Sequence, residues 1–336
     1  MKNLRFILGG ICLAVLLACS CASGGIDAAT AILGGSSKAP VFLYGKAVSE
    51  TEIEFEFSHD VSVTSLSFSP EIMVDDVENG STVRVTFSGG PGPGERLSAD
   101  ILAVDEKGNT INVLITLRTR NSRIPRLLIN ELRTDYSSPS RGEFIELLTQ
   151  EAGNMGALRV FVASNNRSPL LYEFPSIEVA KGEYITLHLR TLDAGTRDEL
   201  GNNLAESGGS QSSPTGRDLW IPGSTKLLRR TDAVYLLDQD DNVVDGVLLS
   251  ENADPWWNRD YFAEAAELLF RAGVWQCAEG KIAGPADAIR TSGTTATRTI
   301  NRDETLADRT GGATGWYITA TSGASPGKPN DPRRHN

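Results

Sequence analysis

Between residues 40 and 120 the chain shows the two-residue alternation of apolar and polar positions that is typical of β-strands. In Glu52–Phe57, the apolar residues Ile53, Phe55 and Phe57 alternate with glutamates, and successive side chains of a strand point to opposite faces. Thr82–Phe87 alternates in the same way. Further predicted strands and turns follow in order: Ser88–Glu95, Leu97–Val104, Asp105–Asn109 and Ile111–Leu117. Short strands with such frequent turns predict an all-β sandwich over residues 40–121.

Two short apolar runs organise the second half of the chain. Leu127–Leu132 is followed ten residues later by Gly142–Leu148. Both runs have the length of strands, and both carry glutamates inside otherwise apolar sequence: Glu131, Glu143 and Glu146. We expect the two runs to pair as neighbouring strands. They would begin a second sandwich over residues 124–330.

Two long segments interrupt this second half. The first, near residues 190–223, is rich in Gly, Ser and Asn and predicts a mobile loop. The second, near residues 250–293, contains Tyr261–Ala272, whose apolar positions share one face of a helix. Those positions are Phe262, Ala265, Ala266, Leu269 and Phe270. The sequence therefore predicts an all-β fold with a long loop and a short helical insertion.

The first 39 residues have the pattern of a targeting segment. Lys2 and Arg5 precede the apolar run Phe6–Leu17, which has the length of a signal-peptide core and is short for a membrane span. Small and polar residues follow. The pattern predicts a signal peptide at residues 1–18 and a flexible tether at residues 19–39.

Leu16-Leu17-Ala18-Cys19 resembles the lipobox of bacterial lipoproteins, and its second position resembles the looser, spirochaete-like form. The resemblance implies that Cys19 becomes the N-terminus and carries acyl chains such as palmitate. Cys21 lacks a large aliphatic residue three places upstream and is the weaker candidate. The other alternative is a plain secretory signal. We expect a lipid-anchored protein of the cell envelope. The outer membrane is the favoured location, either at its periplasmic face or at the cell surface.

Two further stretches resemble known β-sandwich families. Ala99–Thr119, with its Asp-x-x-Gly-Asn turn, is similar to the last hairpin of bacterial immunoglobulin-like domains. Segments of the second half resemble, in order, the lamin-tail domain, an immunoglobulin-like sandwich found in nuclear lamins and many secreted bacterial proteins. These segments are Ile129–Leu132 with Gly142–Leu147, Leu158–Val162, Tyr172–Leu187, Asp232–Val247, and Arg302, Trp316 and Ser325–Asn330. The resemblance covers about residues 125–330 and implies two immunoglobulin-like sandwiches in tandem. The two insertions make this region longer than the usual lamin-tail domain. For this reason, the binding partners of that family are not assigned to this chain.

Charge and cysteine content narrow the classes of function. The formal net charge of −11 repels phosphate backbones, so no nucleic-acid partner is expected. Of the four cysteines, only Cys277 lies in the predicted folded part, which excludes an internal disulfide framework. One cysteine and three scattered histidines do not make a zinc site, and no cofactor is predicted.

The carboxylates of the second half are the strongest candidates for a metal site. Glu131 is expected on the strand that neighbours Glu143 and Glu146, so Glu131 with either of these glutamates, together with Asp245 of a later hairpin, is the candidate set. Hard oxygen ligands of this kind bind divalent cations. The alternative, which we favour, is that these acids cap backbone amides of loops or pair with Arg298 and Arg302. We therefore predict no metal site.

Aromatic residues of the second insertion are the candidates for partner binding. They are Trp256, Trp257, Tyr261, Phe262 and Trp275. Clustered aromatic rings can stack on sugars or dock a protein partner. The alternative is that they pack the inserted helix onto the sandwich.

Few residues are arranged for catalysis. Ser325 and Lys328 fit the letters Ser-x-x-Lys, but Pro326-Gly327 between them opposes the helical turn that this chemistry needs. We expect a non-enzymatic envelope lipoprotein whose lamin-tail-like domain binds an unknown protein or glycan. The alternative is an accessory module of a secreted metal-dependent hydrolase or phosphoesterase system.

Overall fold

The computed structural model describes residues 38–137, 141–165, 168–277, 280–306 and 311–335. The chain divides into two compact units. Unit 1 contains the described residues up to Pro91 together with Arg96–Arg120, and unit 2 contains Gly92–Glu95 and the residues from Asn121 onward. The signal peptide, the Cys19 lipidation site and nearly all of the tether lie outside the described residues and stay predictions.

Unit 1 is built from six strands in an antiparallel arrangement. They are β1 (Phe42–Ser49), β2 (Glu52–Ser69), β3 (Met73–Glu78), β4 (Gly80–Ser88), β5 (Arg96–Val104) and β6 (Thr110–Arg118). The order is β3-β4-β2-β5-β6, and β1 also pairs with β2. The long strand β2 pairs with β1 and β4 through its first half and with β5 through its second half. It therefore belongs to both layers of a sandwich.

The core of unit 1 follows the alternation in its sequence. Ile53, Phe55 and Phe57 on β2 are buried, while the intervening glutamates are partly exposed. The other strands contribute buried residues at every second position: Val83, Val85, Phe87, Leu97, Ala99, Ile101 and Ala103. A one-residue slip of any of these strands would turn its apolar face to solvent, so the register is set by burial.

Unit 2 is a larger all-β body whose described residues include one α-helix and two short 3₁₀ helices, Pro285–Asp287 and Ala313–Gly315. Its strands are β7 (Arg126–Arg133), β8 (Phe144–Glu151), β9 (Gly153–Asn154), β10 (Arg159–Val162), β11 (Leu170–Glu173), β12 (Glu178–Val179), β13 (Tyr184–His188), β14 (Arg217–Trp220), β15 (Asp232–Leu237), β16 (Val243–Ser250), β17 (Ile289–Arg290), β18 (Ile300–Arg302) and β19 (Trp316–Ile318). One sheet has the order β14-β13-β8-β7-β18-β19, a second has the order β11-β10-β15-β16-β17, and β9 pairs with β12. Residues from both larger sheets form a single core.

The helix α1 (Asp260–Arg271) packs on the second sheet of unit 2. Its buried residues are Phe262, Ala265, Ala266 and Leu269, the apolar face that the sequence predicts. Gly246 on β16 makes this approach possible, because a Cβ atom there would lie 2.3 Å from Leu269 Cδ2. The glycine therefore allows α1 to lie close to the sheet.

The segment from Arg190 to Gly223, which the sequence predicts as a loop, contains a strand. It contains β14, which runs parallel to β13 and completes the edge of the first sheet. Its buried polar residues are hydrogen-bonded or ion-paired: Glu199 accepts a hydrogen bond from the backbone N–H of Asp218, and Arg217 pairs with Glu183, which lies outside the segment. Because the segment is polar in composition, its sequence pattern did not predict this strand.

The all-β sandwich-type fold predicted from the sequence is confirmed by these sheets.

Candidate functional site

Glu131 and Glu146 lie opposite each other on neighbouring strands of unit 2. β7 and β8 pair antiparallel, and a register irregularity between Ile129 and Glu131 places Glu131 across from Glu146. Both side chains are fully buried. Two carboxylates at adjacent positions inside a core require hydrogen-bond donors, since burying an unpaired charge is very unfavourable.

The donors come from the end of the chain. Ser325 donates its backbone N–H and its hydroxyl to Glu131 at 3.0–3.2 Å, and Gly327 donates its backbone N–H to Glu146 at 2.6 Å. Lys328 N–H in turn donates to the Ser325 carbonyl at 3.0 Å. We call residues Ser325–Lys328 the closing turn. The two glutamates fasten it to the central strands of the first sheet.

Gly327 is required in the closing turn for two reasons. Its φ of +75° lies in the left-handed region, which favours glycine. A Cβ atom at this position would also lie 2.3 Å from the hydroxyl oxygen of Ser213. The close approach brings the Gly327 N–H to the Glu146 carboxylate.

Burial raises the pKa of both glutamates. For Glu131 the loss of solvent is the main cause, opposed by its hydrogen bonds. The pKa of Glu146 is raised well above its usual range by burial and then by the negative charge of Glu131. The pair therefore holds a proton more tightly than two exposed glutamates would.

Asp245, the third carboxylate of the predicted set, is held by a different group. Its Oδ2 accepts hydrogen bonds at 2.6 Å from the guanidinium of Arg302 and from the backbone N–H of Ile129. Arg302 also donates to the Ile129 carbonyl at 2.8 Å and lies over the Trp316 ring. Since Asp245 is on β16 and Arg302 on β18, this ion pair joins the two sheets.

These contacts describe carboxylates that bind the chain's own donors. Among the described residues, no group of three or more His, Cys, Asp or Glu is placed to hold a metal ion. Glu131, Glu146 and Asp245 direct their oxygens at backbone N–H groups and at Arg302, the arrangement that the sequence analysis favoured.

The five aromatic residues of the second insertion do not form one exposed cluster. Trp275 and Phe262 are buried in the core of unit 2. Trp257 is half-buried and donates its indole N–H to the Ala283 carbonyl at 2.8 Å, and the half-buried Tyr261 ring contacts Phe262 edge-on. Trp256 is 80% exposed. Packing of α1 onto the sheet thus leaves Trp256 as the most exposed ring of the predicted partner-binding set, which stays a prediction.

Sequence analysis missed a buried polar cluster between β13 and β14. His188 contacts Asp218 at 2.8 Å and stacks on the Trp220 ring, with 3.8 Å between ring centroids. Asp218 also accepts a hydrogen bond from the Ser213 backbone N–H at 2.7 Å. The partners are separated by up to 32 residues and meet only through a parallel strand pair, so no local pattern could have indicated the cluster.

No helix among the described residues is long and apolar enough to cross a membrane.

Fold and site together define an all-β protein whose second unit buries carboxylates that hold its C-terminal segment. The family model described as TP_1001_2nd, protein second domain, matches residues 125–318. The chain belongs to this family.

Two individual proteins are similar to parts of the chain. An uncharacterized protein of Treponema pallidum (strain Nichols), a spirochaete, is 29% identical over 168 residues, which cover 46% of this chain and 41% of that protein. The matched stretch thus spans less than half of the relative. The N-terminal part of the bacterial S-layer protein SbsC matches 63% of this chain and 44% of that chain, at 11% identity and a TM-score of 0.24. A likeness that distant supports no inference.

Proposed function

We propose that this chain is a lipid-anchored protein of the cell envelope and acts as a non-enzymatic binding and structural module through a lamin-tail-like second unit. The lipobox-like Leu16–Cys19 supports the anchor. The spirochaete relative supports it further, because spirochaete-like lipoboxes tolerate the leucine at position 17. The outer membrane is the favoured location, and the partner is an unidentified protein or glycan.

The main support for a non-enzymatic role is that residues of the closing turn donate hydrogen bonds to the carboxylates of Glu131 and Glu146. A general base needs a carboxylate within reach of a substrate proton, and a hard cation needs several oxygen ligands at once. Here the carboxylate oxygens accept hydrogen bonds from Ser325 and Gly327. Their position supports a role in holding the sandwich closed.

Metabolic labelling tests the anchor. Cells that produce the wild type, Cys19→Ala or Cys21→Ala are grown with radioactive palmitate. We expect wild type and Cys21→Ala to be labelled and Cys19→Ala to remain unlabelled and uncleaved. Cys21→Ala is the matched control, because it removes a cysteine two residues away. Equal labelling of Cys19→Ala would refute the anchor.

A turnover assay tests the absence of catalysis. The purified chain is incubated with a phosphodiester substrate, bis-p-nitrophenyl phosphate, with and without Mn²⁺ or Ca²⁺. We expect no turnover above buffer. Turnover that disappears in Glu146→Gln but persists in the unit 1 variant Glu54→Gln would establish the hydrolase alternative instead.

A further inference from the structure

A cleft of about 560 Å³ opens beside the closing turn in unit 2. Its walls include Arg133, Arg141 and Lys328, together with the polar residues Gln211 and Ser325. We call it the basic cleft. Its described lining residues include three cations and no carboxylate, although the chain as a whole carries a net charge of −11. A local positive field in an acidic protein indicates an anionic ligand.

Arg133 is the main evidence for this ligand, because it is a buried cation that makes no ion pair with any described residue. It is 5% exposed, and buried arginines are rare unless they are paired. Its guanidinium donates to the Gly142 carbonyl at 3.3 Å and to the Gln211 side-chain oxygen at 2.5 Å. Its buried Nε has no hydrogen-bond partner among the described residues.

The other well-buried arginines of unit 2 show what Arg133 lacks. Each has a carboxylate partner at 2.5–2.7 Å: Arg190 with Glu143, Arg217 with Glu183, and Arg302 with Asp245. Within the described ranges, Arg133 makes no comparable ion pair. Its described contacts are the Phe144 ring, 4.7 Å from the centroid, and hydrogen bonds to two neutral oxygens. A buried guanidinium without a carboxylate partner is destabilising. An anion that enters the cleft would supply the missing partner.

Arg133 keeps its positive charge in the folded chain. Burial lowers its pKa to about 10, with the positive charge of Arg141 adding to the effect and those of Glu131 and Glu143 opposing it. The guanidinium thus remains protonated at neutral pH. Glu143 is already bound by two guanidinium nitrogens of Arg190, and Glu131 by Ser325. Neither acid hydrogen-bonds to Arg133 in the described structure.

We propose that the basic cleft binds a phosphomonoester, with Arg133, Arg141 and Lys328 contacting the phosphate. A phosphate dianion offers several acceptor oxygens, and guanidinium groups match them with paired donors. The cleft is larger than a phosphate group, and Pro214, Ala324 and Pro326 line it as an apolar wall for the remainder of the ligand. The inference rests on the proposed binding role and gives the ligand's chemistry.

The experiment is a calorimetric titration of the detergent-solubilised full chain. The probes are inorganic phosphate, glucose 1-phosphate, and glucose as the uncharged control. We expect both phosphates to bind and glucose not to bind. We expect Arg141→Ala and Lys328→Ala each to weaken binding by about tenfold or more, since each removes a charged donor to the phosphate. Both residues are exposed, so these variants keep the fold where Arg133→Ala could lose it.

The matched control is Arg259→Ala, an exposed arginine that does not line the basic cleft. It should bind as the wild type does. A second arm uses vesicles with and without phosphatidic acid. Binding to those vesicles alone, lost in Arg141→Ala, would assign the phosphomonoester to a lipid headgroup, whereas binding of glucose 1-phosphate assigns it to a soluble or glycan source.

Two results would contradict the proposal that the basic cleft binds a phosphomonoester. One is no binding of either phosphate or of phosphatidic acid vesicles. The other is binding that Arg141→Ala and Lys328→Ala leave unchanged. Palmitate labelling at Cys19 is measured separately, so failure of the cleft and failure of the proposed envelope anchor are distinguishable.

Discussion

The two units bury polar groups in different ways. Among the described residues of unit 1, Asp105 in a hairpin turn is the one buried charged side chain. Unit 2 buries many, including Glu131, Glu146 and the Asp245–Arg302 pair. The core of unit 1 is therefore formed mainly by the alternating apolar residues of its strands, as in an ordinary sandwich. Unit 2 depends in addition on polar contacts between residues far apart in the sequence.

The difference shows how a sandwich accommodates a C-terminal segment. Glu131 and Ser325 are 194 residues apart, and Glu146 and Gly327 are 181 apart. A buried carboxylate that binds two or three donors is specific about what it accepts, because any other segment would leave it unsatisfied. The acids thus select the closing turn.

Removing Arg302 should cause the largest loss. Arg302→Ala leaves Asp245 buried without its counter-charge, which costs about 3–5 kcal/mol. All five tryptophans lie between residues 220 and 316, in unit 2. Tryptophan fluorescence during urea unfolding therefore follows this unit alone.

The matched control is Arg271→Ala, whose ion pair with Glu267 is exposed on the helix. Such pairs contribute about 0.5 kcal/mol or less. Equal losses in the two variants would show that the Asp245–Arg302 contact does not join the sheets.

Gly246→Ala should be the next most damaging change. The added methyl group would lie 2.3 Å from Leu269 Cδ2 and push α1 away from β16. Overpacking of this kind costs about 1–3 kcal/mol. Gly201→Ala, at a site with open space around it, is the control and should not destabilise unit 2. The urea midpoint from tryptophan fluorescence measures the stability of both variants. An unchanged midpoint in Gly246→Ala would show that α1 does not pack closely against β16.

The two units should respond to acid with opposite signs. Burial raises the pKa of Asp232 to about 6 and also raises the pKa values of Glu131 and Glu146. Folded unit 2 then binds more protons than the unfolded chain, so its stability falls as pH rises through this window. We expect unit 2 to be more stable at about pH 5 than at about pH 7, by about 1–2 kcal/mol.

In unit 1, hydrogen bonds from Asn109 lower the pKa of Asp105 to about 2. Its contribution is present above the unfolded pKa and is lost as pH falls through about 2. Urea midpoints measured across this range test both signs. Glu146→Gln should reduce the gain of unit 2 at about pH 5, and an unchanged gain would exclude this carboxyl as a contributor.

The smallest effects should be equal in the two units. Asp105 accepts hydrogen bonds from the backbone and side chain of Asn109, and Asp238 accepts the same bonds from Asn242. Asn109→Ala and Asn242→Ala should therefore lower the thermal transition of their own unit slightly and to a similar extent, as scanning calorimetry can measure. A large decrease of the transition temperature in one unit alone would mean that the two hairpins contribute differently to the stability of their units.

Sequence patterns predicted what depends on neighbours along the chain. Alternation identified the strands around Phe55 and Val85, and helical spacing identified the face of α1 that contains Leu269. Strand β14 was missed because its charged residues Arg217 and Asp218 are buried only through partners on other segments. Glu131 and Glu146 stood out as acids in apolar strands, but their donors lie in the closing turn, which no local pattern connects to them. The basic cleft was missed for the same reason.

The most direct test of the account is hydrogen exchange at the backbone amide of Gly327. If Glu146 fastens the closing turn, this amide is protected in the wild type and exchanges much faster in Glu146→Ala, while the amides of Leu127–Leu132 stay protected in both. Glu54→Ala in unit 1 is the control and should leave Gly327 protected. Equal protection of Gly327 in wild type and Glu146→Ala would contradict the central claim that the buried glutamates of unit 2 hold its C-terminal segment.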